Sequence, residues 1–291
     1  MKELVIISGK GGTGKTSVAA ALAFIEPENL VLADCDVDAA DMHLILKPVV
    51  QSTEDFISGV KAEIDPATCI SCDACKQICR FSAIRQEDNV YHVDPLDCEG
   101  CGYCYHVCPV QAITMPLQNV GQCYVSATKI GCQLVHAKLC IGADNSGKLV
   151  AKVKKDAKAA AISTHKDYIL VDGSPGIGCP VISSLSGADF VLLITEPTLS
   201  GMNDLKRVWE LITKFRIPAG CIINKANINP SVAGQIAEYL ASQGIWHVLD
   251  LPYDEDFSRA ITLGQSLVEY NPSKWKPIFG TIWKQLTKET K

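Results

Sequence analysis

Leu4-Val5-Ile6-Ile7-Ser8-Gly9-Lys10-Gly11-Gly12-Thr13-Gly14-Lys15-Thr16 is the stretch whose reading decides the fold. Four apolar residues of strand character, Leu4 to Ile7, run into Gly9 to Thr16, which meets the phosphate-loop pattern G-x-x-x-x-G-K-[ST] at every fixed position. An alanine-rich apolar run, Ser17 to Phe24, follows and reads as a helix. Strand, glycine loop and helix, in that order, is the context the pattern requires. Glycines let backbone N–H groups turn inward on a phosphate, and the helix adds the positive end of its dipole. The expected nucleotide-binding set is Gly9, Lys10, Gly11, Gly12, Thr13, Gly14, Lys15, Thr16 and Ser17. Lys15 would reach the β- and γ-phosphates and the Thr16 hydroxyl would hold Mg²⁺. A glycine-rich turn that binds nothing is the competing reading, and the agreement of motif with context weighs against it.

The chain has 291 residues, 47% hydrophobic and 20% charged, enough for one large core and a small appendage. A net charge of −5 disfavours non-specific nucleic-acid binding, so no nucleic-acid partner is expected. There is no apolar run of eighteen residues and the N-terminal residues read as a strand rather than a signal peptide, so a cytoplasmic protein is expected. Fourteen cysteines in a reducing compartment argue for metal binding or catalysis over disulfides. Eight of them lie between Cys69 and Cys108, where a 29-residue repeat sets Cys69-x-x-Cys72-x-x-Cys75-x-x-x-Cys79 against Cys98-x-x-Cys101-x-x-Cys104-x-x-x-Cys108. Structural zinc takes paired C-x-x-C knuckles across a longer loop, which this triple run does not match.

The other segments alternate single-run apolar strands with helices, as a parallel sheet covered on both faces requires. Asn29–Ala33 reads as a strand leading into the carboxylates Asp34, Asp36, Asp38 and Asp41. Tyr168–Val171 is a buried strand ending in Asp172, and Ala219–Ile223 ends in Asn224-Lys225. Gln122–Ala127 and Gln133–Leu139 read as a strand pair. Ser146–Ser163 reads as a helix with one lysine face. Near the C-terminus Trp275, Phe279, Ile282, Trp283 and Leu286 form one helical stripe, read first as packing on the sheet and second as a membrane-surface contact.

Two resemblances organise these pieces. Lys10, five residues before Lys15, makes the loop resemble the deviant K-G-G-x-G-K-[ST] loop of the MinD/ParA/nitrogenase iron protein ATPases. The cysteine repeat resembles a bacterial ferredoxin with two [4Fe–4S] clusters, departing from it at Arg80, where the usual pattern has proline. The fold implied is an α/β P-loop NTPase, its mostly parallel sheet covered by helices on both faces, with a small inserted ferredoxin-type domain. The expected boundaries are 1–58 with 118–291 for the ATPase and 59–117 for the insert. By the ATPase resemblance, Lys10 crosses a dimer interface to the partner's nucleotide. Asp36 belongs to switch I and positions the attacking water, and Lys10, Lys15 and Asp36 form the catalytic set. Thr16, Asp36 and Asp172 hold Mg²⁺, Gly176 senses the γ-phosphate, and Asn224, Lys225 and Pro252 lie at the adenine.

By the ferredoxin resemblance, one cluster takes Cys69, Cys72, Cys75 and Cys108, and the other Cys98, Cys101, Cys104 and Cys79. Cys179, seven residues after Asp172, falls where the nitrogenase iron protein carries the ligand of a cluster bridging two subunits. The implied cofactors are ATP, Mg²⁺ and two [4Fe–4S] clusters. The implied partners are a second ATPase subunit, identical or paralogous, and a redox or metallocofactor client. The activity implied is ATP hydrolysis that drives a dimer switch coupled to electron transfer or cluster delivery. A MinD-like positioning protein with redox-sensing clusters and a plain ferredoxin-type electron carrier are the alternatives.

Overall fold

The computed structural model describes residues 1–291 except 38, 39, 141, 143–145, 290 and 291, so Asp38 lies outside the described residues. In chain order the elements are β1 (Lys2–Ser8), α1 (Lys15–Ala23), β2 (Leu30–Asp34), α2 (Met42–Leu46) and β3 (Val49–Val60). Then come β4 (Glu63–Ile64), α3 (Ala74–Ile78), β5 (Ile84–Glu87), β6 (Val90–Val93), α4 (Tyr103–Val107) and β7 (Ile113–Thr114). β8 (Leu117–Ala127), β9 (Gln133–Leu139), α5 (Ser146–Ser163), β10 (Tyr168–Asp172), α6 (Cys179–Leu185) and β11 (Phe190–Thr195) follow. The chain closes with α7 (Leu199–Phe215), β12 (Ala219–Ile223), α8 (Pro230–Gln243), β13 (Trp246–Asp250), α9 (Glu255–Thr262), α10 (Leu267–Tyr270) and α11 (Pro272–Glu289). These elements form two compact units: residues 1–54, 123–138 and 146–291, and residues 55–122 with 139–145.

The first unit is built on a sheet whose full strand order is β13-β12-β11-β1-β10-β2-β9-β8-β3. β1 lies between β10 and β11, and all three run parallel. β2 continues the parallel set beside β10, and β12 beside β11. Strands β1, β2, β11 and β12 carry almost unbroken apolar runs because helices cover both faces. The C-terminal ends of β1, β2 and β10 therefore share one edge of the sheet, where open α/β folds place their ligands. The stripe on α11 is spent on the core: Trp275, Phe279, Ile282, Trp283 and Leu286 are all buried. Its two indoles are anchored, Trp275 Nε1 to Asp256 Oδ2 at 2.9 Å and Trp283 Nε1 to Glu26 Oε2 at 2.6 Å. Among the described residues no helix is long and apolar enough to cross a membrane.

In the second unit the sequence repeat is also a backbone repeat. Ser71, Asp73 and Ser82 have φ of 55°, 67° and 55°, and their counterparts 29 residues on, Gly100, Gly102 and Gln111, have 65°, 78° and 54°. Each arm thus makes the same left-handed turns on either side of its short helix, α3 or α4. Gly100 is needed twice over, because a Cβ there would sit 2.1 Å from the Val60 carbonyl oxygen. β5 and β6 form a hairpin turned by Asp88 and Asn89, both at positive φ, as two-residue hairpins demand. The apolar cluster among the described residues of this unit is small: Ala62, Cys75, Ile84, Tyr91, Cys104 and Ile113.

Candidate functional site

The loop between β1 and α1 opens into a cleft of about 490 Å³ lined by Gly11, Gly12, Gly14, Lys15, Thr16, Ser17, Asp36, Asp41 and the Ser174–Pro175 turn, among others. Two loop positions admit only glycine. A Cβ on Gly9 would meet Asp204 Cβ at 2.5 Å, and Gly14, at φ 94°, would meet Asn224 Nδ2 at 2.5 Å. Lys15 is the charge centre. It is nearly buried, with Nζ 2.6 Å from Asp172 Oδ1 and 3.5 Å from Asp36 Oδ2. Burial alone would lower its ammonium, but Asp172 and Asp36 outweigh that and hold it above its ordinary value.

Asp34, at the end of β2, was not among the expected site residues, yet it is the most perturbed carboxyl here. Burial first, then the neighbouring Asp172, push it up to about 8. Three carboxylates thus face one ammonium. Asp34 Oδ2, Asp172 Oδ2 and Thr13 Oγ1 are buried with no hydrogen-bond partner. Unsatisfied buried acceptors are costly. Oxygens of this kind at the mouth of a phosphate loop suit a hard divalent cation with its shell of water. Thr16, Asp36 and Asp172 would hold Mg²⁺, and Asp34 would face its shell. The cation would supply charge neutralisation of the phosphates.

Several expected residues are engaged within the chain. Lys10 Nζ lies 2.6 Å from Glu196 Oε1 and 2.9 Å from Ser200 Oγ. Glu196 also holds Lys225 at 2.8 Å, and Lys225 Nζ donates to the Gly12 carbonyl at 3.0 Å. The two ammonium groups hold the Glu196 carboxyl below its ordinary value despite the opposing effect of burial. Sequence reasoning missed Glu196 because nothing in Glu196-Pro197-Thr198 marks it locally; two lysines far apart in the chain converge on it. The Gly176 N–H donates to the Ser8 carbonyl at 2.9 Å. Asn224 Nδ2 donates to the Thr13 carbonyl at 2.7 Å, so this residue braces the phosphate loop. A second recess, beside the loop, is lined by Gly12, Asn224, Lys225, Tyr253, Asp254 and Phe257, among others. Pro252 is exposed, outside that lining, and Tyr253 follows it into the recess.

The eight repeat cysteines fall into two groups of four. One cavity of the second unit is lined by Cys69, Cys72, Cys75 and Cys108, with Ile64, Tyr91 and Ile113 among its apolar walls. Another is lined by Cys79, Cys98, Cys101 and Cys104, with Ala62, Ile84 and Met115. Each cavity takes three cysteines from one arm and the fourth from the other. Among the described residues no three His, Cys, Asp or Glu side chains are close enough to share a single ion. A cubane needs no such closeness, since each of its four irons takes its own thiolate. Among the described donors, the Ala112 N–H reaches Cys108 Sγ at 3.2 Å, the kind of hydrogen bond that tunes a cluster. The residues present fit two iron–sulfur groups. Cys179 is exposed at the first position of α6, in the other unit.

Comparison with known proteins agrees with this geometry. The 4Fe-4S dicluster domain family matches residues 62–115. A MinD septum site-determining protein from Pyrococcus horikoshii, solved with Mg-ADP, is similar across 99% of this chain and 96% of its own, with a TM-score of 0.58 at 19% identity. The chain thus has the fold of that MinD structure, carries a phosphate-loop sequence at Gly9 to Thr16, and contains a 4Fe-4S dicluster domain. Among sequences, the uncharacterized protein MJ0578 of Methanocaldococcus jannaschii is 36% identical over 229 residues, 78% of this chain and 79% of its own. The chain belongs to the family of MJ0578. MJ0579 of the same organism, also uncharacterized, is 27% identical over 279 residues, 93% of this chain and 94% of its own.

Proposed function

We propose that the protein binds ATP with Mg²⁺, hydrolyses it between two subunits, and uses its nucleotide state to govern electron transfer through its iron–sulfur clusters or metallocofactor delivery to a client protein. One observation carries the nucleotide part: Lys15 set between Asp172 and Asp36, with unpartnered Asp34, Asp172 and Thr13 oxygens beside it. Phosphate oxygens would take Lys15 from Asp172, and the freed carboxylates would turn to the cation. Asp36 would orient and deprotonate the attacking water. The Gly176 N–H would exchange the Ser8 carbonyl for the γ-phosphate, which moves the segment leading to α6. Lys10 would leave Glu196 for the nucleotide of the second subunit.

In the cysteine unit, Cys69, Cys72, Cys75 and Cys108 would hold one cluster and Cys79, Cys98, Cys101 and Cys104 the other. The clusters would supply one-electron carriers. Coupling is supported by chain continuity: the segment after Asp36 leads through α2 into β3, a single strand that starts in the first unit and ends in the second. Two relatives from one organism support pairing with a paralogue as well as with an identical copy. Burial of the α11 stripe weighs against the membrane-positioning alternative. A bridging cluster at Cys179 is a separable part of the reading, and Cys179→Ser lowers iron content only if that bridge exists.

The test is an anaerobic pull-down with tagged protein, alone and with a non-hydrolysable ATP analogue and Mg²⁺. The expected result is a paralogous ATPase subunit or an iron–sulfur or redox client captured only with the nucleotide, and lost in Lys15→Ala. Identical captures in every arm reject nucleotide control.

A further inference from the structure

The two ends of the nine-stranded sheet differ. At one end β13 is five residues long and slips register against β12 between Cys221 and Ile222. Brevity and irregularity are ways in which sheets keep an edge from pairing. At the other end β3 is twelve residues long, and among the described residues no strand lies beyond it. Val49 to Glu54 are all exposed, Val49 by 70% and Val50 by 50%. Val49-Val50-Gln51-Ser52-Thr53 contains no proline, glycine or charge, and three of the five residues are β-branched. That is a pairing strand without the usual protection of an edge.

We propose that this edge seats a second copy of the same chain, β3 against β3, antiparallel and centred on Gln51, in a dimer that needs no nucleotide. Three features select this occupant. A two-fold axis perpendicular to the sheet keeps side chains on their own face, so Gln51 meets Gln51, Val50 meets Ser52 and Val49 meets Thr53. The apolar–hydroxyl pattern is therefore self-complementary. The charges sit at opposite ends, Lys47 before the strand and Glu54 after the pairing stretch. Antiparallel pairing in this register sets Lys47 opposite Asp55 of the second copy, next to Glu54, whereas parallel pairing would set like charges side by side. Pro48, which has no N–H to donate, ends the ladder. Glu54 already meets Lys152 of its own chain at 2.7 Å, so its carboxylate would be shared. The interface uses no residue of the phosphate loop, and a strand pair this short should associate weakly and reversibly.

Sedimentation velocity on the full anaerobic protein without nucleotide, from about 1 to 100 µM, tests it. The expected result is a reversible monomer–dimer equilibrium. Gln51→Lys sets two ammonium groups face to face at the axis and weakens the dimer several-fold or removes it, and Gln51→Glu does the same. An equimolar mixture of the two variants restores it as a heterodimer. ATP binding and far-UV circular dichroism of both variants match the wild type. Wild type that stays monomeric throughout, variants that dimerise like wild type, or a mixture that behaves as the sum of its parts would each overturn the proposal.

Discussion

In the first unit Trp275, Phe279, Leu22, Leu32 and Ile6 are all within two per cent of complete burial and belong to one apolar cluster. In the second unit the apolar cluster among the described residues has six members, two of them cysteines, and Cys69, Cys79, Cys98 and Cys108 pack around it. One unit is held by apolar surface removed from water. The other turns cysteines of its repeat inward and has too little apolar surface to fold on that alone. One chain therefore links a unit held by apolar packing to one whose folding would lean on bound iron–sulfur groups. The repeat sharpens the contrast. Its two arms share backbone turns to within about 15°, yet each lends its last cysteine to the other arm's cavity, so neither arm stands alone.

This contrast can be broken from either side. The largest effect should come from removing iron with a chelator under air, or from Cys75→Ser with Cys104→Ser. Hydrogen exchange should then show residues 55–122 unprotected while residues 1–54 and 146–289 keep their protection, because cluster binding supplies folding free energy there. Phe279→Ala should cost the first unit about 3–5 kcal/mol in denaturant unfolding and leave iron content unchanged. Gly100→Ala should destabilise the second unit by about 2–4 kcal/mol, from left-handed backbone plus the clash with Val60. Gly102→Ala, with nothing within 4 Å of the added carbon, should cost only about 1–2 kcal/mol. Loss of bound iron on purification reads out the difference between them.

Lys15→Ala should weaken ATP binding about 10- to 150-fold in calorimetry, the loss of a hydrogen bond to a charged group, without changing cluster content. The smallest effect is a pH dependence. Burial, and then the charge of His43, lower the His136 imidazole to about 4 from its ordinary 6.5. The folded state therefore binds the proton less well than the unfolded one. Stability present above pH about 6.5 is lost as pH falls toward about 4. His136→Phe should flatten that slope in thermal melts of the first unit and leave the second unit's melt unmoved.

What was legible in the sequence follows the range of the interactions. The phosphate loop is contiguous, so Gly9 to Ser17 could be read as one motif. The crossed cysteine groups were an implication of the ferredoxin resemblance, and the two cavities are lined by the same sets of four. Asp34 was passed over because its importance lies in three-dimensional neighbours: Asp172 and Lys15 come from other elements. Glu196 was missed for the same reason. β3 has no counterpart in the sequence reading because Val49 to Asp55, all exposed, show no apolar alternation. The tethering of Lys10 to Glu196 and Ser200 also has no sequence signature, being a contact across nearly 190 residues.

The central claim is that nucleotide at Lys15 changes the clusters in the other unit. The most direct measurement is an anaerobic redox titration of the protein, followed by electron paramagnetic resonance, with Mg-ADP, with a non-hydrolysable Mg-ATP analogue and without nucleotide. The account predicts that the analogue shifts the midpoint potential or spectrum of at least one cluster, and that Lys15→Ala abolishes the shift. Superimposable titrations in all three states, from protein shown to have bound the analogue, would contradict it.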